Sequence, residues 1–262
     1  MNLVVCMKQV PDTAARVAIG GDGRSLDPEG VTFVVNPYDE IALEEALRIR
    51  EKLGEGEVAV VTMGPEKGSA ALRSCLAMGA DRGIHLQDAA FQGSDSLGTA
   101  RILAAAIARK PFDLILLGKQ GVGTDNSQTG PMLAELLDLP HVNVVVKLEI
   151  MGKSLKAFRQ IEGALEVIEA PLPAVVTAQK GLNEPRYAGL KGIMAAKKKP
   201  VEVLCLRDLG LPADEVGEKG ALVRWTQLEL PASRSSGKIL QGEPEEAVEE
   251  LVRLLREEAK VI

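Results

Sequence analysis

Apolar positions follow two rhythms along the chain. Largely apolar runs of strand length occupy residues 2–7, 57–63, 83–86 and 113–117. Each is followed by a stretch with helical spacing: one from Pro37 onward, then 70–78, 96–110 and 129–139. In the first of these, Ile41, Ala42, Ala46, Leu47 and Ile49 share a face. Asn36 and Pro37, with Asp39 and Glu40 in the first turn, mark its start, and Gly54 marks its end. A β-branched run at 31–35 leads into it. Four strand-then-helix units, with strands apolar throughout, predict a mostly parallel, doubly wound α/β sheet covered on both faces.

The rhythm changes after Pro140. Runs at 142–150, 154–158, 165–168 and 174–177 are joined by short turns, which predicts a small antiparallel addition. No periodicity survives over 181–199. Residues 207–243 are rich in Gly, Pro and charge and read as an extended arm. A helix follows over 244–262, with Val248, Leu251, Val252, Leu255 and Ala259 along one stripe. The chain therefore divides into an α/β body (1–200), with 181–199 as part of it, and a tail (201–262). The tail has too little apolar surface for a core of its own, so its helix stripe needs a surface outside itself.

Composition removes several function classes. The 262 residues are 46% apolar and 26% charged, as in ordinary globular protein, and the net charge of −6 disfavours nucleic acid as a partner. No apolar run is long enough to span a bilayer, and the first residues lack the basic start of a secretory signal, so the expected location is the cytoplasm. Three dispersed cysteines give neither a disulfide framework nor a metal knuckle. Two histidines, His85 and His141, leave little for a His-rich metal site or a Ser/His triad, and both read as structural.

Candidate chemistry concentrates at strand-to-helix junctions. The loop after 113–117 contains Gly121, Val122, Gly123, Thr124, Asp125, Asn126, Ser127, Gln128, Thr129, Gly130, Pro131 and Met132. It lies at the carboxyl end of a parallel strand, where open α/β folds bind ligands. Its small residues allow backbone N–H groups to approach an anion. Pro131, at a first helical position, puts the positive end of a helix dipole beside them. A phosphate is the natural guest, although neither a Walker A ending nor a GxGxxG spacing is present. The residue types alone leave two readings open, an anion cradle or a glycine-rich surface loop with an ordinary helix cap. Asn36, Pro37, Tyr38 and Asp39 form a second junction. If the 31–35 strand flanks the same switch point as the first, Asn36 and the first-turn amides also face that cleft, and Met63 and Cys6 end near it. Cys6 itself reads as an inert buried thiol.

A basic segment also stands out. Between Glu184 and Glu202 there is no acid, while Arg186, Lys191 and Lys197 to Lys199 alternate with Tyr187, Leu190, Ile193 and Met194. Charge with projecting apolar groups suits docking on an acidic protein.

Together these segments resemble the β subunits of electron transfer flavoproteins over most of residues 1–200. The motifs are Asn36-Pro37-Tyr38-Asp39-Glu40, Ala77 to Ile84 (AMGADRGI), Leu117-Gly118-Lys119-Gln120, Gln128-Thr129-Gly130 and Ala170 to Thr177 (APLPAVVT). Leu182 to Ala188 (LNEPRYA) and Ile193 to Lys199 (IMAAKKK) complete the set. The resemblance implies an electron-carrier subunit without catalytic residues. It would pair with an α subunit that holds most of the FAD site and shuttle electrons from flavin dehydrogenases, such as acyl-CoA dehydrogenases, to a quinone oxidoreductase. It also implies a structural AMP touching Cys6, Asn36 to Asp39, Met63 and Gly121 to Met132. The implied recognition loop uses Asn183, Pro185, Arg186, Tyr187, Leu190, Ile193, Met194 and Lys197, with Leu190 as its anchor. The tail would embrace the α subunit.

Two further readings compete. Electron-bifurcating relatives place a second FAD in the AMP cleft and use NADH, and tend to carry a different cleft loop; Asn126 and Thr129 lie closer to the AMP type. An ATP pyrophosphatase or a nucleotide sensor of related fold is the other, but the first strand runs into Met7-Lys8-Gln9-Val10-Pro11 instead of a Ser-Gly-Gly loop.

Overall fold

The computed structural model describes residues 1–232 and 237–262. Contacts divide them into two units, Met1–Gln227 and Leu228–Ile262.

In the first unit, β1 (Asn2–Cys6) runs into a polar excursion carrying β2 (Gln9–Pro11), β3 (Ala18–Ile19), β4 (Leu26–Asp27) and β5 (Phe33–Val35), and then α1 (Pro37–Leu53). Next come β6 (Glu57–Met63), α2 (Ser69–Met78), β7 (Arg82–Leu86), α3 (Ser96–Ile107), β8 (Leu114–Gly118) and α4 (Thr129–Leu136). The antiparallel run β9 (His141–Met151), β10 (Ser154–Ile161) and β11 (Ala164–Pro171) precedes β12 (Ala174–Ala178). The unit finishes with α5 (Leu190–Ala196), β13 (Val201–Leu204), α6 (Leu206–Leu209) and α7 (Gly217–Gly220).

Among the described residues, nine strands join in the order β11-β10-β9-β12-β8-β1-β6-β7-β13. Alternation along the central strands feeds two cores. Leu3 and Val5 of β1, with Leu114 and Leu116 of β8, face α1 and α2. Val4 and Cys6, with Ile115 and Leu117, face α3 and α4. Both faces of the parallel strands are thus apolar, which is why the period-2 pattern is invisible in their sequence. The expected α/β doubly wound sheet with a small antiparallel addition is what the chain forms.

Several expected elements differ in detail. The 31–35 strand does not enter the main sheet; β5 pairs antiparallel with β2 in a separate ribbon. It therefore does not flank the switch point, but the ribbon delivers Asn36 there, with its N–H 2.9 Å from the Lys8 carbonyl. The last strand of the supposed antiparallel group, β12, is parallel to both neighbours, β8 and β9. The aperiodic 181–199 segment contains the short α5, set tightly on α2: a β-carbon on Gly192 would collide with the Ala77 carbonyl. The contact boundary falls after Gln227, not at 200, because β13 extends the sheet edge beside β7.

The second unit holds α8 (Pro244–Glu257), which ends five residues before the expected 262. Arg253 pairs with Glu250 at 2.8 Å and Glu257 at 3.1 Å, while Val248, Leu251 and Val252 remain exposed. The part of the expected arm at 233–236 lies outside the described residues.

Leu116 is fully buried between β1 and β12. Leu116→Ala is expected to lower unfolding stability by about 2–5 kcal/mol through lost burial and a residual cavity. A urea midpoint equal to that of the wild type would place the core elsewhere.

Candidate functional site

The strand order reverses between β1 and β8, and a cleft of about 770 Å³ opens at their carboxyl ends. That volume is within the range of small-molecule sites, roughly 300–1,000 Å³. One carboxylate shapes its floor. Asp39, in the first turn of α1, accepts the Lys8 N–H on Oδ2 and the Gly118 N–H on Oδ1, both at 2.7 Å. It therefore ties the ends of β1 and β8 to the same helix turn. Gly118 is required there, since a β-carbon would lie 2.6 Å from Asp39 Oδ1. Burial pushes the Asp39 carboxyl up to about 6, against the N–H groups of Lys8 and Gly118, the Asn36 side chain and the Lys8 charge.

Asn36 does not cap α1 with its side chain. Its Nδ2 instead donates to the Gln120 carbonyl at 2.9 Å, and its Oδ1 accepts the Val122 N–H at 3.2 Å. The side chain thus fastens the glycine-rich loop to the start of α1. Within that loop Gly123, Asp125 and Ser127 all have positive φ, which for the two non-glycine residues is a strained conformation of the kind that clusters at binding sites. No side chain caps α4 either, so the N–H groups of its first turn have no partner within the helix. The helix begins at Thr129, making Pro131 its third residue and not its first. Proline costs nothing at either place, because that N–H is unpaired anyway.

Of the residues expected from sequence, Cys6, Asn36, Asp39, Met63, Gly121, Thr124, Asn126, Ser127, Gln128, Thr129, Gly130 and Met132 line the cleft. Pro37, Tyr38, Val122, Gly123, Asp125 and Pro131 do not. Tyr38 instead lies under the Lys119 ammonium, 5.2 Å from the ring centroid. Burial drives the Cys6 thiol far above its ordinary value, so it meets the cleft as an inert group. His85 is structural, with Nε2 3.1 Å from the Gly64 carbonyl.

Sequence reasoning missed two parts of the wall. Lys8 reaches across the cleft, with Nζ 3.1 Å from Thr124 Oγ1. The segment 217–225, read as free arm, closes one side. Ser94 Oγ accepts the Gly217 N–H at 2.8 Å, and Asp95 Oδ2 accepts the Leu222 and Val223 N–H groups at 2.8 and 3.2 Å. A signal for this latch was present in Asp95 as a helix-capping residue, but its second set of partners is more than 120 residues away.

The expected docking residues fall into two groups. Arg186 is pinned to α1: its guanidinium meets Glu44 at 2.7 Å and Glu51 at 2.5 Å. Burial pushes Glu44 up, but Arg186 and Arg48 together hold it below the ordinary carboxylate range. Asn183 is buried and donates to Glu45 at 2.9 Å and to the Ile41 carbonyl at 3.0 Å. At the far end, Lys199 Nζ donates to the carbonyls of Leu76 and Ala80 that close α2. Between these anchors Tyr187 is 99% exposed, Leu190 75% and Met194 64%, with Ile193 and Lys197 also outward. Pro185 is half-buried at the base.

A carboxyl whose pKa rises on folding stabilises the fold fully below its unfolded value, near 4, and that contribution is lost as pH rises through its folded value. Between about pH 4 and 6 the wild type should therefore lose on the order of 2–3 kcal/mol that Asp39→Asn does not lose. The variant should also be weaker at low pH by about 1–3 kcal/mol, since its amide confronts a backbone donor. Chemical denaturation across this window measures both; a wild-type-to-variant difference independent of pH would exclude titration of Asp39.

Comparison with known proteins identifies the family. Residues 25–209 match the electron transfer flavoprotein domain. The chain is 43% identical to the electron transfer flavoprotein subunit beta of Bacillus subtilis, over the whole of both chains. It is 44% identical to that of Thermoanaerobacterium thermosaccharolyticum, over 97% of this chain and 98% of that one. For the Homo sapiens subunit the identity is 39%, over 100% of this chain and 99% of the other. Among the described residues no helix is long and apolar enough to cross a membrane. With a full-length match and the family's domain over most of the body, the chain belongs to the electron transfer flavoproteins, as one of their β subunits.

Proposed function

We propose that this chain holds an AMP in the switch-point cleft as scaffolding and pairs with an α subunit that carries most of the FAD site. The pair passes electrons from flavin dehydrogenases, such as acyl-CoA dehydrogenases, to a quinone oxidoreductase. The observation that carries this reading is the cleft itself. Its mouth is an uncapped helix start with a strained, glycine-rich loop, which suits a phosphate, and its floor includes apolar Met63 and Leu117, which suit a base. The bound flavin supplies the oxidation and reduction, and the protein supplies position and field. This chain's residues hold the nucleotide, keep Asp39 and Asn36 at the loop, and present the outward segment at 187–194.

The small molecules released on denaturing the purified heterodimer test the cleft assignment. FAD and AMP in equal amounts are expected. Two FAD per heterodimer would replace AMP with a second flavin, as in bifurcating relatives, and ATP retained in place of AMP would favour a sensor.

Docking is separable from folding at two neighbouring positions. Leu190→Ala should slow electron transfer from the dehydrogenase about tenfold or more while changing stability by less than about 0.5 kcal/mol, because the side chain is an exposed anchor. Arg186→Ala should instead lower stability by about 1–3 kcal/mol, since Glu44 loses its guanidinium inside the fold. Equal thermal losses in both variants would make Leu190 part of the packing.

A further inference from the structure

We infer that Lys8 is the counter-ion for the phosphate in the cleft and the residue by which the site distinguishes a mononucleotide from its nucleoside. This rests on the mononucleotide reading above and adds a specificity determinant that the loop motifs do not contain. Lys8 lies two residues past the end of β1, beside Cys6 and Met7 in the cleft lining, and its side chain lies along the glycine-rich loop. A β-carbon on Gly121 would stand 2.7 Å from Lys8 Cδ and 3.0 Å from Nζ, so the loop's lack of a side chain there is what lets the lysine lie flat.

The ammonium has three donors and one described acceptor, Thr124 Oγ1 at 3.1 Å. Of the two carboxylates that act on it, Asp39 has both oxygens engaged and Asp125 has one. Asp39 spends its two oxygens on the N–H groups of Lys8 and Gly118. Asp125 accepts from Gln120 Nε2 at 2.5 Å. Among the described residues Lys8 forms no ion pair, and loss of solvent around it lowers its pKa although Asp39 and Asp125 pull it upward. A cation with spare donors beside an uncapped helix start is a place where a dianionic phosphate gains charge-assisted hydrogen bonds and an uncharged ribose hydroxyl does not. Arg24, Lys119 and Arg224 also line the cleft; Arg24 already donates to the Thr226 carbonyl at 3.2 Å, and Lys119 lies over the Tyr38 ring.

The test is titration of the full-length chain, co-purified with its α subunit and depleted of nucleotide, with AMP and with adenosine. Lys8→Met should weaken AMP tenfold or more while leaving adenosine within about twofold, matching the loss of one charge-assisted contact. It should also flatten the salt dependence of AMP binding, and Lys8→Arg should restore most of the affinity and the salt slope. Equal loss for AMP and adenosine would mean that Lys8 only orders the loop, and unchanged AMP affinity would mean that it does not touch the phosphate; either overturns the inference. A wild-type protein that binds neither compound overturns the mononucleotide reading itself, which is a different result.

Discussion

The architecture depends on one buried carboxylate held between two main-chain donors. At a switch point the connections that follow two neighbouring parallel strands leave in opposite directions, and the backbone groups just past the strand ends would otherwise go unpaired. Asp39 closes that gap from the side, accepting one N–H from the end of β1 and one from the end of β8. The cost of placing the carboxyl there shows in its elevated pKa. The return is a cleft whose floor is rigid while its rim is left with unmatched polar groups. Asn36, three residues earlier, extends the arrangement by fastening the loop with both ends of its amide.

Much of this was legible in sequence, for identifiable reasons. β6 and the whole of α1 lie where the patterns put them, because a largely apolar run and a Pro37-to-Gly54 frame are local signals. The glycine-rich loop and Asn36 do meet, but the β2–β5 ribbon brings them together and not, as the sequence suggested, a strand at the switch point. What sequence could not supply was partnership. β12 reads like the hairpin strands before it, and only its register with β8 makes it parallel and central. The 217–225 wall has no period of its own; Ser94 and Asp95 hold it by bonds spanning more than 120 residues. Lys8 belongs to no motif, and only the fold brings its ammonium to Thr124 across the cleft.

The 181–199 segment illustrates a different limit. Its composition pointed to a charged, projecting loop, and the projecting part is there in Tyr187, Leu190 and Met194. Yet its first arginine is spent inside the fold. Arg186 and Asn183 secure one end on α1, Lys199 secures the other on α2, and Gly192 lets α5 sit close to the Ala77 carbonyl. A segment held at three points pays less ordering entropy when it meets a partner, so its apolar groups are presented already arranged.

Glu44 and Glu51, which grip Arg186, are seven residues apart on the same helix whose opening turn carries Asp39. Seven residues are about two turns, so both acids lie on one stripe, and the bearing of the guanidinium is set by helical pitch. Re-aiming the exposed 187–194 surface would mean reworking that stripe, and a slip of the rod along its axis would drag the cleft floor with it.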